Sequence, residues 1–211
     1  MALVKGGVIV PGLRGSVGNA TFVQTPYGTS LRDRTYPRQP NTPAQVAQRE
    51  RVRVVGAAWR SVTLAQAEAW RRYAASVSGT AEWRQASGQH VFSQLAIRFL
   101  MATPEGEIPL TPPSSPFGGD SVEFSVVRDG SMLMLTPSHA NAPGVLTEVL
   151  VQPLASVHRR TYLQRYRSAG FFAFSGSPVA VLSPGSVEAV AVRFVRAATG
   201  QATDLLELGI F

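Results

Sequence analysis

The hydrophobic period of the chain changes across one Pro- and Gly-rich segment. Between residues 41 and 103, apolar side chains recur at spacings of three and four, the period of an amphipathic helix. From residue 121 onward, apolar and polar side chains alternate, as in a half-buried strand. The segment 104–120 carries five prolines and cannot continue a helix. The sequence therefore predicts an α+β chain with a helical unit over 41–103, a linker containing a domain boundary over 104–120, and strands over 121–211.

Local start signals predict three helices in the first of these regions. Thr42 and Thr63 each precede a glutamine by three residues, which is the capping-box pattern. Pro43 suits the first helical position because that position needs no backbone N–H donor. The predicted helices run from Pro43 to about Arg60, from Thr63 to Ser78, and from about Ser87 to Met101.

The alternating region predicts an antiparallel β-sandwich. Asp129-Gly130 is a strong hairpin signal between Val122–Val126 and Met132–Leu135. Further strands are predicted over Leu146–Leu154, Gln164–Ala169, Phe171–Phe174, Val179–Leu182, Val187–Ala197 and Thr203–Leu208. Short strands with a turn signal about every 8 to 12 residues are typical of a sandwich.

The run from Val187 to Gly200 resembles the penultimate strand and turn of a fibronectin type III domain. This resemblance implies a fibronectin type III or Ig-like sandwich. An aromatic group in the same region is interpreted as core and edge packing, with a carbohydrate site as the alternative; its members are Tyr162, Tyr166, Phe171 and Phe172.

Residues 1–40 predict an extended arm. Glycines and prolines interrupt short extended runs such as Val8–Val10, and Pro26-Tyr27-Gly28 forms a turn signal between Thr21–Thr25 and Thr29–Arg34. A lone hairpin is marginal in water, and this one carries large apolar side chains. We therefore expect the arm to dock on the body of the chain or on a neighbouring subunit.

The positive charge lies in the first half of the chain. Residues up to 103 contain 13 basic and 4 acidic residues, a balance of +9, whereas the remainder contains 7 basic and 9 acidic residues, a balance of −2. Of the 20 basic residues only one is lysine, and the arginine fork suits bidentate contacts to carboxylate and phosphate. The predicted partner-binding residues combine aromatic and arginine side chains: Phe22, Tyr27, Arg32, Arg34, Tyr36, Arg38, Arg49 and Arg53.

Several features argue against an enzyme. The chain has no cysteine, and its three histidines are far apart in sequence. There is no HExxH, P-loop, GxGxxG or GxSxG motif. We predict no catalytic residue, no metal site and no cofactor. No apolar run approaches the roughly 20 residues that span a bilayer, so no membrane partner is expected.

The segment containing Arg38–Gln45, Ala58–Gln66 and Ala69–Ala74, preceded by Gly15-Ser16-Val17-Gly18-Asn19, resembles phage and prophage virion structural proteins. In that group an N-terminal arm precedes the helices, and an Ig-like or fibronectin-like domain can follow. The resemblance implies a location in the virion after synthesis in the host cytoplasm. It implies no catalytic residue.

Together these features predict a capsid cement or decoration protein that attaches by its arm and helices. The expected partners are the major capsid protein or other virion subunits, with homo-oligomers in the particle. A tail or head–tail connector component is the nearest alternative. A non-specific nucleic-acid-binding protein is an alternative of another class, since a basic helical module can bind phosphates without reading sequence.

Overall fold

A computed structural model of the chain describes residues 2–4, 14–36, 39–77, 86–183 and 185–211. Within them the fold is α+β, with three helices and antiparallel sheets. The strands are β1 (Ala2–Val4), β2 (Gly15–Val17), β3 (Ala20–Thr25), β4 (Gly28–Asp33), β5 (Phe124–Asp129), β6 (Met132–Pro137), β7 (Val145–Pro153), β8 (Arg167–Phe172), β9 (Val179–Leu182), β10 (Glu188–Arg196) and β11 (Leu206–Ile210). The helices are α1 (Pro43–Ser61), α2 (Leu64–Val77) and α3 (Gly88–Ala102), with a short 3-10 helix over Leu163–Arg165. The chain divides into two compact units, Met1–Gln45 and Val46–Phe211.

The first unit is a four-stranded antiparallel sheet in the order β1-β4-β3-β2. The predicted hairpin is present, with Thr25 opposite Gly28 across the turn. The prediction of an extended arm missed β1 and β2, which pair with the outer edges of this hairpin. Two extra strands satisfy backbone groups that a lone hairpin would leave open. The predicted extended run Val8–Val10 lies outside the described residues.

All three predicted helices are present, and their starts are capped as expected. The Gln45 N–H donates to Thr42 Oγ1 and the Gln66 N–H donates to Thr63 Oγ1, at 3.4 and 3.3 Å. In return, each threonine N–H donates to the side-chain Oε1 of its glutamine, which completes the capping box. At α3 the Ser87 hydroxyl accepts from the His90 N–H at 3.2 Å.

The helices pack around an aromatic cluster. Trp70 and Phe92 meet edge to face with ring centroids 5.3 Å apart, and Trp59 lies 5.1 Å from Phe92. Gly88 permits a close approach of α3 to α2, because a side-chain Cβ there would lie 2.9 Å from the backbone nitrogen of Arg71. Fixed aromatic geometry thus holds α2 and α3 together.

The Pro-rich segment packs against the helices and does not behave as a free linker. The buried Trp70 indole donates to the Leu110 carbonyl at 2.8 Å, and Ile108 joins the same apolar cluster. At the far end of the segment, the Asp120 carboxylate accepts hydrogen bonds from the backbone N–H groups of Ser121 and Ala142. The sequence predicted a boundary here, whereas residues 46–211 form one compact unit.

Two antiparallel sheets make up the rest of this unit, with strand orders β11-β10-β7-β8 and β5-β6-β9. Their facing side chains share one apolar cluster, which includes Leu133, Val149, Val181 and Val190. The Asp129-Gly130 hairpin joins β5 to β6, as the sequence predicted.

One strand prediction was wrong. The predicted strands Gln164–Ala169 and Phe171–Phe174 are replaced by a single strand, β8 (Arg167–Phe172), and Gln164 and Arg165 lie in the 3-10 helix that precedes it. The pairing of β8 with β7 shifts register between Val149 and Leu150. This irregularity lets one strand continue where the sequence pattern predicted two separate strands.

A close contact joins the helices to the sheets. The Arg98 guanidinium of α3 donates to the Gly200 carbonyl at 3.2 Å. The Gln201 amide donates to the Tyr73 hydroxyl and to the Ser115 carbonyl, at 3.2 and 3.0 Å. Gly200 has a φ of +72°, and a Cβ there would overlap the Leu95 carbonyl oxygen. The turn after β10 therefore requires glycine for both its conformation and its clearance.

Leu154 and Tyr166, the first and last residues of the segment between β7 and β8, pack on the outer face of the four-stranded sheet. Tyr166 is buried against Leu150, Ala189 and Ala191. Its hydroxyl lies near the Glu207 carboxylate and the Thr161 hydroxyl but makes no well-formed hydrogen bond to a described residue. Burial, together with the charge of the nearby Glu207 carboxylate, raises the pKa of Tyr166 to about 12.

We expect Gly200→Ala to lower the free energy of unfolding by about 3 kcal/mol, because it combines overlap with a strained φ. Gly144 is the matched control, since it has a φ of +75° and open space around it. Gly144→Ala should cost only about 1 kcal/mol. Urea unfolding followed by tryptophan fluorescence measures both losses, and equal losses would contradict the close contact.

We expect Tyr166→Phe to leave stability at neutral pH unchanged or to raise it by about 1 kcal/mol, because it removes a buried hydroxyl that makes no well-formed hydrogen bond to a described residue. The pKa of Tyr166 in the folded chain lies above the value of about 10 for an unfolded tyrosine. Its stabilisation is therefore complete below pH about 10 and is lost as the pH rises through about 12. Unfolding measured across this range should show an alkaline loss that Tyr166→Phe lacks; the same loss in both proteins would contradict the assignment.

Candidate interaction site

The N-terminal sheet exposes aromatic side chains with little core beneath them. Tyr27 occupies the β3–β4 turn and is 89% exposed. Phe22 is half-buried and lies opposite Leu31 on the neighbouring strand. Among residues 14–36, only the small polar Thr29 and Ser30 are buried. Tyr27 and Val17 are therefore exposed, and the other large apolar side chains described in this sheet are only half-buried.

Arginines accompany these aromatics. Arg32 is exposed on β4 opposite Thr21, and the Arg34 guanidinium lies 5.0 Å from the centroid of the Tyr36 ring. Tyr36 remains 66% exposed. The structure thus pairs two of the predicted residues, Arg34 and Tyr36, in a cation–π contact. Arg38 lies outside the described residues.

The two remaining predicted residues lie on α1. Arg49 and Arg53 are one turn apart and both are exposed. Arg53 donates to both carboxylate oxygens of Glu50, at 2.9 and 2.5 Å. These hydrogen bonds lower the pKa of Glu50 and raise the pKa of Arg53. Sequence reasoning missed this pair, although a spacing of three on a helix predicts contact.

The first half of α1 is unusually exposed for a helix with an apolar side. Val55 is its one buried residue, and every side chain from residue 41 to residue 50 is exposed. Val46 and Val52 are each about half exposed. Sequence reasoning assigned neither valine to a binding surface, because periodicity predicts a buried face without saying what covers it.

The second unit contains a cavity of about 680 Å³ between the helices, the Pro-rich segment and the turn after β10. Its lining includes Tyr73, Arg98, Phe117 and Gln201. These polar groups contact one another or the backbone: Gln201 accepts from Arg196 and Thr199 and donates to Tyr73 and Ser115. They hold helices to sheets and present no nucleophile paired with a base.

The buried carboxylates are also used structurally. Glu148 on β7 pairs with Arg193 on β10, and Glu188 accepts from the Gly185 N–H. Neither lines the cavity. No group of three or more metal-ligating side chains occurs in the part of the chain that the structure describes. No helix in that part is both long enough and apolar enough to cross a membrane.

No protein-family model matches the chain, and no curated protein matches it. Two solved structures are weakly similar. Catalytically inactive OgpA from Akkermansia muciniphila, in complex with an O-glycopeptide substrate (glycodrosocin), is 12% identical over 59% of this chain and 41% of its own, with a TM-score of 0.29. Wild-type OgpA is 14% identical over 58% and 39%, with a TM-score of 0.31. The chain spans about two fifths of their length, and TM-scores this low show neither a shared fold nor a shared activity.

We expect backbone amides of residues 47–51 in α1 to exchange with solvent about tenfold faster, or more, than those of residues 55–59 in the isolated chain. The reason is that burial of α1 begins only at Val55. Hydrogen exchange followed by mass spectrometry resolves the two halves. Equal protection would show that the first half of α1 is already covered.

Proposed function

We propose that this chain is a non-enzymatic structural subunit of a phage virion, namely a capsid cement or decoration protein. It attaches through the N-terminal sheet and the first half of α1. The observation that carries this proposal is the exposure of Tyr27 and Arg32 on the N-terminal sheet and of Tyr36 just after it, while among residues 14–36 only Thr29 and Ser30 are buried.

The chemistry of this surface suits a protein partner. Tyrosine and arginine are enriched where binding energy concentrates in protein interfaces. A partner would also supply the burial that a single sheet lacks. The balance of +9 in the first half of the chain favours a partner face rich in carboxylates.

The two facing sheets of the second unit constitute, in this proposal, a fibronectin type III-like domain. In the described part of this unit, seven antiparallel strands are split into sheets of three and four. The first, second and fifth strands form one sheet, and the fourth strand lies at the edge of the other. Fibronectin type III domains share this architecture of two antiparallel sheets. The domain is the rigid module that the attached subunit presents outward, and homo-oligomers form in the particle.

Two alternatives share part of this support. A tail or head–tail connector subunit would use the same attachment surface at a different place in the virion. A nucleic-acid-binding protein would use the arginines of the basic half, and its affinity for DNA would fall steeply with salt. The pairing of Arg53 with Glu50 weakens this second alternative, because it neutralises one of the predicted cations.

We expect the full chain to co-sediment in a density gradient with phage particles purified from cultures of the host that produces the protein. Arg32→Ser combined with Arg34→Ser should lower the particle-bound fraction about tenfold or more, since interface arginines often dominate binding. Labelled chain then locates the protein by electron microscopy on the shell or on the tail.

Arg159→Ser combined with Arg160→Ser is the matched control, because both residues are exposed and the charge change is identical. It should leave particle binding unchanged. Absence of the wild-type chain from particles would overturn the virion assignment. An equal loss in the control would instead overturn attachment through the N-terminal sheet.

A further inference from the structure

The second unit carries a basic surface of its own, on residues 154–166, which we call the basic loop. It connects β7 to β8. Residues 104–211 contain seven arginines, and three of them, Arg159, Arg160 and Arg165, lie in this loop. Arg167 follows directly, and no acidic residue occurs between 154 and 167. The half of the chain with a negative balance thus concentrates its positive charge in one place.

The basic loop is anchored at several points that do not involve its arginines. Tyr166 is buried on the sheet. The Tyr162 N–H donates to the buried Gln152 side chain at 3.0 Å. The Thr161 hydroxyl donates to the Glu207 carboxylate at 3.3 Å. Among the described residues, Glu207 is the acidic side chain that forms a hydrogen bond with the loop. The loop is therefore held in place while its charged side chains point to solvent.

The arginines themselves are available. Arg159 and Arg160 are exposed, and neither guanidinium has a hydrogen bond or an ion pair with any described residue. Arg165 lies 5.0 Å from the centroid of the Tyr162 ring and makes no side-chain hydrogen bond to the described part of the chain. Desolvating such cations is favourable only opposite negative charge.

Exposed apolar side chains alternate with these cations. Val157 is 54% exposed and precedes His158, Arg159 and Arg160, and Leu163 is 63% exposed, two residues before Arg165. Aliphatic side chains gain from entering an apolar phase, whereas a nucleic acid offers them little. Because Arg165 lies over the Tyr162 ring, one ring face is already used and is not open to base stacking.

We propose that the basic loop docks on the surface of an anionic lipid bilayer, with its arginines against phosphate groups and with Leu163 and Val157 in the interfacial layer. Surface docking and spanning are separate physical claims, so the lack of a spanning run in the sequence does not bear on it. The expectation of no membrane partner stays an untested prediction, and the proposal departs from it for this loop alone. The proposal does not depend on where the N-terminal sheet attaches.

The test uses the full chain and vesicles of two compositions, phosphatidylcholine alone and phosphatidylcholine mixed with phosphatidylglycerol. Wild type should co-sediment with the anionic vesicles and not with the neutral ones. Arg159→Ser combined with Arg160→Ser should weaken anionic-vesicle binding about 25-fold, or about fivefold for each arginine. Leu163→Ser should weaken it about fivefold without any change in charge.

Arg32→Ser combined with Arg34→Ser is the matched control and should bind vesicles as wild type does. Circular dichroism melting checks that each variant is folded. A single-stranded oligothymidylate tests the competing partner, and Leu163→Ser should not alter any binding to it.

Three results would overturn the proposal. The first is no binding of wild type to anionic vesicles. The second is an equal loss in the Arg32/Arg34 control, which would mean that net charge alone drives binding. The third is that Leu163→Ser has no effect on vesicles while the loop arginines control oligothymidylate binding, which would assign the loop to nucleic acid.

Discussion

The contact between α3 and the turn after β10 holds the second unit together. Gly200 sits against the backbone of α3 at a position where no side chain fits, and the Arg98 guanidinium donates to its carbonyl. Gln201, the next residue, reaches both Tyr73 and Ser115. Helices, Pro-rich segment and sheets therefore meet at two consecutive residues. Since a backbone contact of this kind tolerates little displacement, it holds α3 closely against the sheet.

This rigidity divides the chain into parts with different roles. In the second unit, buried polar groups are almost all used to fix one element against another, as Glu148 with Arg193 and Trp70 with Leu110 illustrate. In the first unit, hydrogen bonds close a small sheet but large side chains such as Tyr27 stay exposed. When a partner binds, the apolar area removed from water is largest at a surface that is not already packed within the chain.

Local chemistry made the helices and the hairpins predictable. Thr42 and Thr63 mark the starts of their helices because a capping box is complete within four residues. Asp129-Gly130 likewise identifies a hairpin turn from two neighbouring residues alone. The exposure of Tyr27 was predictable too, since a turn between two strands has nothing opposite it.

The features that the sequence did not predict depend on contacts between residues that are far apart in the chain. The packing of residues 104–120 depends on the Trp70 indole, which bonds to Leu110, 40 residues away in sequence. The strands β1 and β2 are too short to show a period and exist through their pairing with the hairpin. The Gly200 contact is likewise invisible in sequence, because a turn glycine looks the same whether or not a helix lies against it. The four arginines between residues 158 and 167 could have been noticed from the sequence, but the negative charge balance of the second half as a whole concealed this local positive cluster.

The basic loop can carry unpaired arginines because its fold does not depend on them. Its stability comes from Tyr166 and Leu154 packed on the sheet and from the Gln152 side chain below. Arg167, by contrast, bonds back to the Gln164 and Tyr166 carbonyls and serves the fold. Arg167, the first residue of β8, thus differs from the neighbouring arginines of the loop in what it does, and the difference follows from hydrogen bonding rather than from charge. The free energy of folding fixes the loop, so docking would cost little further ordering of the backbone. A loop that is already ordered gains affinity from each charge it presents, whereas a flexible basic tail first has to offset the entropy lost on binding.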